Sequence, residues 1–222
     1  MNNQLSTIEI LPTGTHLYSI IWLHGLGADG HDFEQIAKEL HLKMATNIHF
    51  IFPNAPIQAV TINGGSKMRA WYDILERSLE RKVDIAGIYQ SELAIKQLIE
   101  LEINKGIRPE HILLAGFSQG GVIALHTGLR YPQKLAGIIG LSTYLPTLKQ
   151  LSTELNPENT SIPIFMGHGI LDSIVEIETG KAVATELKSL GYDIQWRDYV
   201  MEHSVCVEEI EHLSTFINTL FK

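Results

Sequence analysis

The sequence predicts a single α/β domain over residues 1–222, built on a mainly parallel central sheet with helices on both faces. Three observations predict it. Strand-like and helix-like patterns alternate along the chain, as they do where parallel strands are joined by crossover helices. Several strand-like runs are apolar throughout, as strands covered on both faces must be. A glycine-bracketed serine, Gly116-Phe117-Ser118-Gln119-Gly120, joins one such strand to a helix.

Bulk properties narrow the reading further. A chain of 222 residues can bury most of its apolar surface in one core. The 17 basic and 25 acidic side chains leave a formal charge of −8, and no lysine or arginine cluster stands out, so nucleic acid is not an expected partner. The single cysteine, Cys206, excludes an internal disulfide and suits a reducing cytoplasm. Met1 to Thr7 lacks the basic start and apolar run of a signal peptide, and no apolar stretch is long enough to span a membrane.

In chain order, Thr7 to Leu11 has the pattern of a first strand, closed by Pro12-Thr13-Gly14. Leu17 to Leu23 is a more apolar strand running into the loop His24-Gly25-Leu26-Gly27-Ala28-Asp29-Gly30. That loop spells neither the dinucleotide nor the Walker phosphate-binding pattern, so its expected task is to lend a backbone N–H to an oxyanion. Asp32 to Leu42 follows as a helix with Phe33, Ile36, Ala37 and Leu40 on one face. Ile48 to Phe52 is a strand ended by Pro53-Asn54-Ala55-Pro56. Ala59 to Ile62 and Lys67 to Trp71 flank Asn63-Gly64-Gly65-Ser66 as a hairpin. The charge-rich run from Arg77 to Lys82 breaks the pattern, and with the hairpin it makes residues 59–82 a candidate mobile flap.

Asp84 opens a long helix to about Asn104, stopped by Gly106. Its Ile88, Leu93, Ile95, Leu98, Ile99 and Leu101 are too dense for a surface face. His111 to Ala115 is the strand before the serine, and Gly121 to Arg130 the helix after it, ended by Tyr131-Pro132. Leu135 to Leu141 and Ser161 to Met166 read as strands, the first followed by a loop through Thr143, Tyr144 and Pro146. Glu178 to Leu190 is a helix, Asp193 to Val200 an alternating strand, and Val205 to Leu220 the final helix.

The chemistry gathers at Ser118. A serine on a sharp strand-to-helix turn is strained, and side chains two residues either side would collide, which accounts for Gly116 and Gly120. The turn presents the hydroxyl at a helix N-terminus, whose free N–H groups favour developing negative charge. The hydroxyl needs a nearby base that titrates near neutrality, which points to histidine, and the base needs a carboxylate to fix its tautomer. In such sheets functional groups lie past the carboxyl ends of strands. Asp172 follows the strand ending near Met166, and His203 the one ending near Val200. Ser118, Asp172 and His203 are therefore the candidate catalytic residues.

The rivals fare less well. Of the ten histidines, His24 and His168 also sit at strand ends and are read as loop-bracing hydrogen bonders, while His31, His41, His126 and His212 fall on helices. Asp198 lies inside a strand and Asp193 at its start. No H-E-x-x-H or comparable spacing assigns a metal. Cys206 falls in a helix of core character and is expected to serve packing. The expected reaction is attack of Ser118 on an acyl carbonyl while His203 takes its proton. The N–H groups of Leu26 and Gln119 receive the oxyanion.

Six segments together resemble the carboxylesterase and acyl-protein thioesterase family of α/β-hydrolases. They are His24-Gly25-Leu26-Gly27, Pro53-Asn54-Ala55-Pro56, Arg69-Ala70-Trp71-Tyr72-Asp73-Ile74, Gly116 to Gly121, Gly167-His168-Gly169 with Asp172, and Met201-Glu202-His203. The order Ser, Asp, His is also that of α/β-hydrolases. The resemblance implies Ser118, Asp172 and His203 as the triad, Leu26 and Gln119 as oxyanion donors, no cofactor, and a core without a large cap, often a homodimer. It implies hydrolysis of carboxylic esters or thioesters of short-to-medium acyl chains. Bacterial members are described as carboxylesterases and eukaryotic ones as removing fatty acyl groups from protein cysteines; the spelling of residues 69–73 looks closer to the bacterial branch. A catalytically silent binding protein is the alternative from another class, but all three triad positions are filled.

Two departures stand out. Ser173 replaces the proline that often follows the triad aspartate, which should loosen that loop, and the lysine- and arginine-containing stretch 78–82 is not matched to the family's pattern. Ile62, Met68, Trp71 and Leu75 are the expected acyl-pocket residues. Arg77, Arg81 and Lys82 beside apolar residues suggest peripheral contact of a cytoplasmic protein with a membrane.

Overall fold

The computed structural model describes residues 5–76, 82–154 and 156–222. Along the chain come β1 (Thr7–Ile10), β2 (Tyr18–Leu23), α1 (His31–Glu39), β3 (Ile48–Pro53), β4 (Ile57–Val60), β5 (Ser66–Arg69) and α2 (Ile85–Asn104). The second half adds β6 (Ile112–Phe117), α3 (Gln119–Arg130), β7 (Gly137–Leu141), α4 (Leu148–Glu154) and β8 (Pro163–Gly169). It closes with α5 (Ile177–Ser189), β9 (Asp193–Tyr199) and α6 (Val207–Leu220). Seven strands form one sheet in the order β1-β3-β2-β6-β7-β8-β9. Its pairs are parallel except at the edge, where β1 runs antiparallel to β3. β4 and β5 form a separate antiparallel hairpin.

Side chains alternate between the two faces of this sheet, so each face carries its own core. On one, Tyr18, Ile20 and Trp22 of β2 and Phe50 and Phe52 of β3 meet Phe33 of α1 and Leu213 and Phe216 of α6. On the other, Ile21 and Leu23 of β2 and Leu114 of β6 meet Ile95 and Ile99 of α2, Val122 and Leu125 of α3, and Leu187 of α5. Covering both faces explains why the central strands are apolar without alternation.

Several elements differ from the sequence reading, each for a local reason. In α2 the inward stripe runs through Ile88, Glu92, Ile95, Ile99 and Glu102, whereas Leu93 and Leu101 fall off it and stand 60% and 39% exposed. The hairpin strands end and begin earlier than expected. Thr61 gives both its N–H and its hydroxyl to the Asp73 carboxylate, drawing Thr61–Asn63 with Ile62 into a 3-10 turn and leaving Trp71 beyond β5. Gly64 and Gly65, at φ +65° and +78°, close that turn. His111 belongs to a 3-10 turn, Pro109–His111, before β6 begins. The loop after β7 contains α4, a short helix that the sequence reading omits. Cys206 is the half-exposed N-cap residue of α6 and not part of its buried face.

Residues 77–81 of the expected flap, with Arg77 and Arg81, lie outside the described residues. Lys82 is exposed, 3.7 Å from Glu76 Oε1. No described helix is long and apolar enough to cross a membrane.

Candidate active site

Ser118 occupies the turn between β6 and α3 at φ +53°, ψ −119°, a backbone conformation rare for a residue with a side chain. The strain is held from several sides. Its N–H donates to the Leu141 carbonyl at 2.8 Å, and its carbonyl accepts from Thr143 Oγ1 at 2.7 Å and from the Val122 N–H at 3.2 Å. The flanking glycines are required by contact. A Cβ at Gly116 would lie 2.6 Å from the Gly121 nitrogen, and one at Gly120 2.5 Å from the His24 carbonyl oxygen. Gly121 is constrained too, because its Cβ would lie 2.7 Å from Thr143 Cβ.

His203 and Asp172 meet above the carboxyl ends of the neighbouring strands. His203 Nδ1 lies 2.7 Å from Asp172 Oδ2. The other oxygen, Oδ1, accepts from the N–H groups of Ile174 and Val175, each at 2.9 Å. An Asp172 carboxylate held this way accepts a hydrogen bond from Nδ1–H, the tautomer that leaves the Nε2 lone pair free. The imidazole rests against Phe117, ring centroids 4.7 Å apart, and borders a cavity of about 330 Å³ that Ser118 also borders.

The loop after β2 reaches the same cavity through Gly25 and Leu26, and Gln119 reaches it from the start of α3. As the first residue of a helix, Gln119 has a backbone N–H with no intrahelical acceptor. The Gly27 N–H donates to the Arg69 carbonyl at 2.8 Å, and Trp71 Nε1 donates to the His24 carbonyl at 2.9 Å. The Gln119 side chain completes the tie: Oε1 accepts from the Trp71 N–H at 2.8 Å, and Nε2 donates to the Tyr72 carbonyl at 2.7 Å. Sequence reasoning missed this second task of Gln119. The available signal was a polar amide beside an elbow whose other neighbours are small or apolar.

Comparison with known proteins now has a geometry to meet. A family model described as phospholipase/carboxylesterase matches residues 8–221. The chain belongs to the phospholipase/carboxylesterase family. It is 39% identical over 207 residues to acyl-protein thioesterase 1 of Saccharomyces cerevisiae, covering 90% of this chain and 91% of that one. With acyl-protein thioesterase 1 of Gibberella zeae it shares 38% over 211 residues, 91% and 90% of the two chains. Among solved structures, Arabidopsis thaliana SOBER1 superposes with a TM-score of 0.87 at 31% identity, over 92% of this chain and 99% of that one. Zea mays acyl-protein thioesterase 2 superposes equally, 0.87 at 27% identity, over 98% and 99%. The α/β-hydrolase fold and ester-bond hydrolysis expected from the sequence are those of this family.

Within this phospholipase/carboxylesterase-family chain, the remaining expected residues fall as follows. His24 braces its loop, with Nδ1 donating to the Gly25 carbonyl at 2.7 Å and Nε2 accepting from the Ala55 N–H at 3.0 Å. Those two roles require a neutral ring, and burial lowers its pKa accordingly. His168 lies 3.4 Å from Asp172 Oδ2, but its Nε2 is given to the Val175 carbonyl at 2.8 Å and the ring is buried. His203, not His168, borders the cavity. The loop carrying Ser173 is tied down by the two Asp172 bonds and by the N–H groups of Ile170 and Leu171, which donate to Tyr199 and Met201.

Beside the residues above, the described cavity wall includes Ile74, Phe117, Tyr144, Ile174 and Val175, with Ala28 and Asp32 from the loop and helix after β2. Ile62, Met68 and Leu75 are half-buried and Trp71 is buried, and none of the four belongs to that wall. Trp71 instead borders a larger cavity, about 800 Å³, with Arg69, Asp84 and Gln90. That space contains no paired nucleophile and base.

Proposed function

We propose that Ser118, His203 and Asp172 are the catalytic triad of a carboxylesterase or acyl thioesterase, with the backbone N–H groups of Leu26 and Gln119 receiving the oxyanion. One observation carries the reading: the 2.7 Å bond between His203 Nδ1 and a fixed Asp172 carboxylate, in a ring that borders the same cavity as Ser118. His203 takes the Ser118 proton as the oxygen attacks an acyl carbonyl, and Asp172 stabilises the imidazolium. Each oxyanion donor contributes about 3 kcal/mol of transition-state stabilisation. Collapse of the tetrahedral intermediate releases the alcohol or thiol, which receives its proton from His203, and water then frees the acid by the same steps.

A cavity of about 330 Å³ lies near the lower end of small-molecule sites, roughly 300–1,000 Å³, and suits a short-to-medium acyl chain. The names of the fungal and maize relatives favour a thioester on a protein cysteine as the second reading. A chain-length series of matched esters and thioesters, run on wild type and Ser118→Ala, tests both. Hydrolysis confined to the wild type supports the triad, and equal rates in the two proteins would overturn it. Preference for an acylated-cysteine peptide selects the second reading. A serine-directed fluorophosphonate that leaves the wild type unlabelled would instead indicate a binding protein.

The proposed setting is the cytoplasm, at the periphery of a membrane, and the proposed assembly is a homodimer. The exposed Ile170, Leu171 and Ile174 on the loop bearing Asp172 support contact with lipid. Co-sedimentation with liposomes and light scattering in solution test these two points, and failure to sediment or a monomeric mass would remove them.

A further inference from the structure

A second cluster of chemistry-bearing side chains lies at the opposite end of the sheet from Ser118. Ser19 and His49 stand near the starts of β2 and β3, Glu102 is in the last turn of α2, and His16 precedes β2. Glu102 Oε2 lies 3.1 Å from His49 Nδ1, 3.3 Å from His16 Nε2 and 2.6 Å from Ser19 Oγ. One ligand atom from each of His16, His49 and Glu102 falls within 4.8 Å of the others. His49 and Glu102 are buried, whereas His16 keeps 23% of its side chain exposed and gives the cluster a route to solvent.

Two imidazoles and a carboxylate are a zinc-type donor set. With metal–ligand bonds of about 2.0–2.1 Å, neighbouring ligands of a tetrahedral ion stand roughly 3.3 Å apart, close to the 3.1 and 3.3 Å between Glu102 Oε2 and the two imidazole nitrogens. The surroundings agree. His49 Nε2 lies 3.0 Å from Glu9 Oε2, so with Nδ1 on a metal ion the Nε2–H would donate to the Glu9 carboxylate and fix the ring. The ring thus stands between two carboxylates, Glu9 at Nε2 and Glu102 at Nδ1, a concentration of negative charge that a divalent cation would offset. Lys105 Nζ binds the other Glu102 oxygen at 2.7 Å, which leaves Oε2 to the cluster.

We propose that His16, His49 and Glu102 form a binding site for a divalent transition-metal ion of the zinc class, with Glu9 orienting His49. The site is remote from the acyl chemistry. Ser19 pairs with Ile112 at the start of β6 and Ser118 follows the end of that strand, so the two sites are about 20 Å apart at a rise of 3.3 Å per residue. An ion there would cross-link β3 and α2 with the segment before β2, and its effect is on stability. Sequence spacing conceals the site, because His49 and Glu102 are 53 positions apart.

The test uses the full chain, stripped with a chelator and titrated with Zn²⁺. The melting temperature should rise by about 5–10 °C at a free Zn²⁺ concentration near 100 times Kd, and calorimetry should count one ion per chain. Mg²⁺, which prefers oxygen ligands, should give no shift. The Zn²⁺ shift should persist in His203→Ala, where the other histidine–aspartate pair is gone, and vanish in His16→Gln. Glu9→Gln, which keeps every ligand, should weaken binding about 10–100-fold, and serves alone if His16→Gln does not fold. Any of three results would overturn the proposal: no rise with saturating Zn²⁺, binding unchanged in both cluster variants, or binding lost in His203→Ala.

Discussion

Replacing Glu209 with glutamine should remove a pH dependence that the native chain carries in its stability. Glu209 lies in the first turn of α6, buried, with Oε1 against the Cα of Gly167 in β8, where a Cβ would collide with it. Neither carboxyl oxygen has a hydrogen-bond partner among the described residues. A carboxylate there would give up its hydration for nothing, so burial pushes the group from 4.5 up to about 8. Between those values the native state keeps a proton that the unfolded chain has released. The stabilising contribution is therefore fully present below pH 4.5 and is lost as pH rises toward about 8. The slope is about 1.4 kcal/mol per pH unit and the ceiling about 5 kcal/mol, which relaxation and water entry reduce to about 2–4 kcal/mol. Glutamine, neutral in both states, lacks this linkage. Urea unfolding of both proteins at about pH 5, 6, 7 and 8 reads it directly, as a difference moving in favour of the variant with each step. A difference that stays constant across the range would refute the protonated, unpartnered acid.

Ser118→Ala and His203→Ala should each lower kcat at least about 10⁴-fold with the far-ultraviolet circular dichroism unchanged, and turnover within tenfold of wild type would refute the triad. Asp172→Asn should cost a similar factor, because an amide no longer holds the imidazole in its proton-accepting tautomer. Gly120→Ala should leave little folded protein, its Cβ falling 2.5 Å from the His24 carbonyl oxygen, and a soluble, active variant would show that the turn can widen. Gln119→Ala strands the buried Trp71 N–H and Tyr72 carbonyl, at about 2–4 kcal/mol by urea unfolding. A loss under about 0.5 kcal/mol would mean those groups find other partners.

Much of this architecture was legible because it follows from local rules. Apolar runs without alternation announced a sheet covered on both faces, and the glycines at 116 and 120 announced a turn too tight for a Cβ, as the contacts show. Chain order and strand ends were enough to bring Asp172 and His203 within a 2.7 Å bond. What was illegible depends on tertiary surroundings. Glu92, Glu102 and Glu209 carry no mark in the sequence that sets them apart from other helix glutamates, yet all three are buried. Leu93 and Leu101 read as core and are exposed, because only the helix's docked orientation decides which stripe turns inward. The short α4 offers too few turns for a periodic signal. The cavity wall is drawn from loops and strand ends distant in sequence, so Ile74, Tyr144, Ile174 and Val175 carried no mark of it.

The bonds that join Gly27 to Arg69, Trp71 to His24 and Gln119 to residues 71 and 72 fasten one margin of the acyl site to a segment outside the main sheet. That segment is no loose appendage, since Trp71 and Tyr72 are buried in the same core as Ile95 and Val122. The spacing between the loop after β2 and the start of α3 is therefore set by these amide contacts as well as by the sheet that carries both.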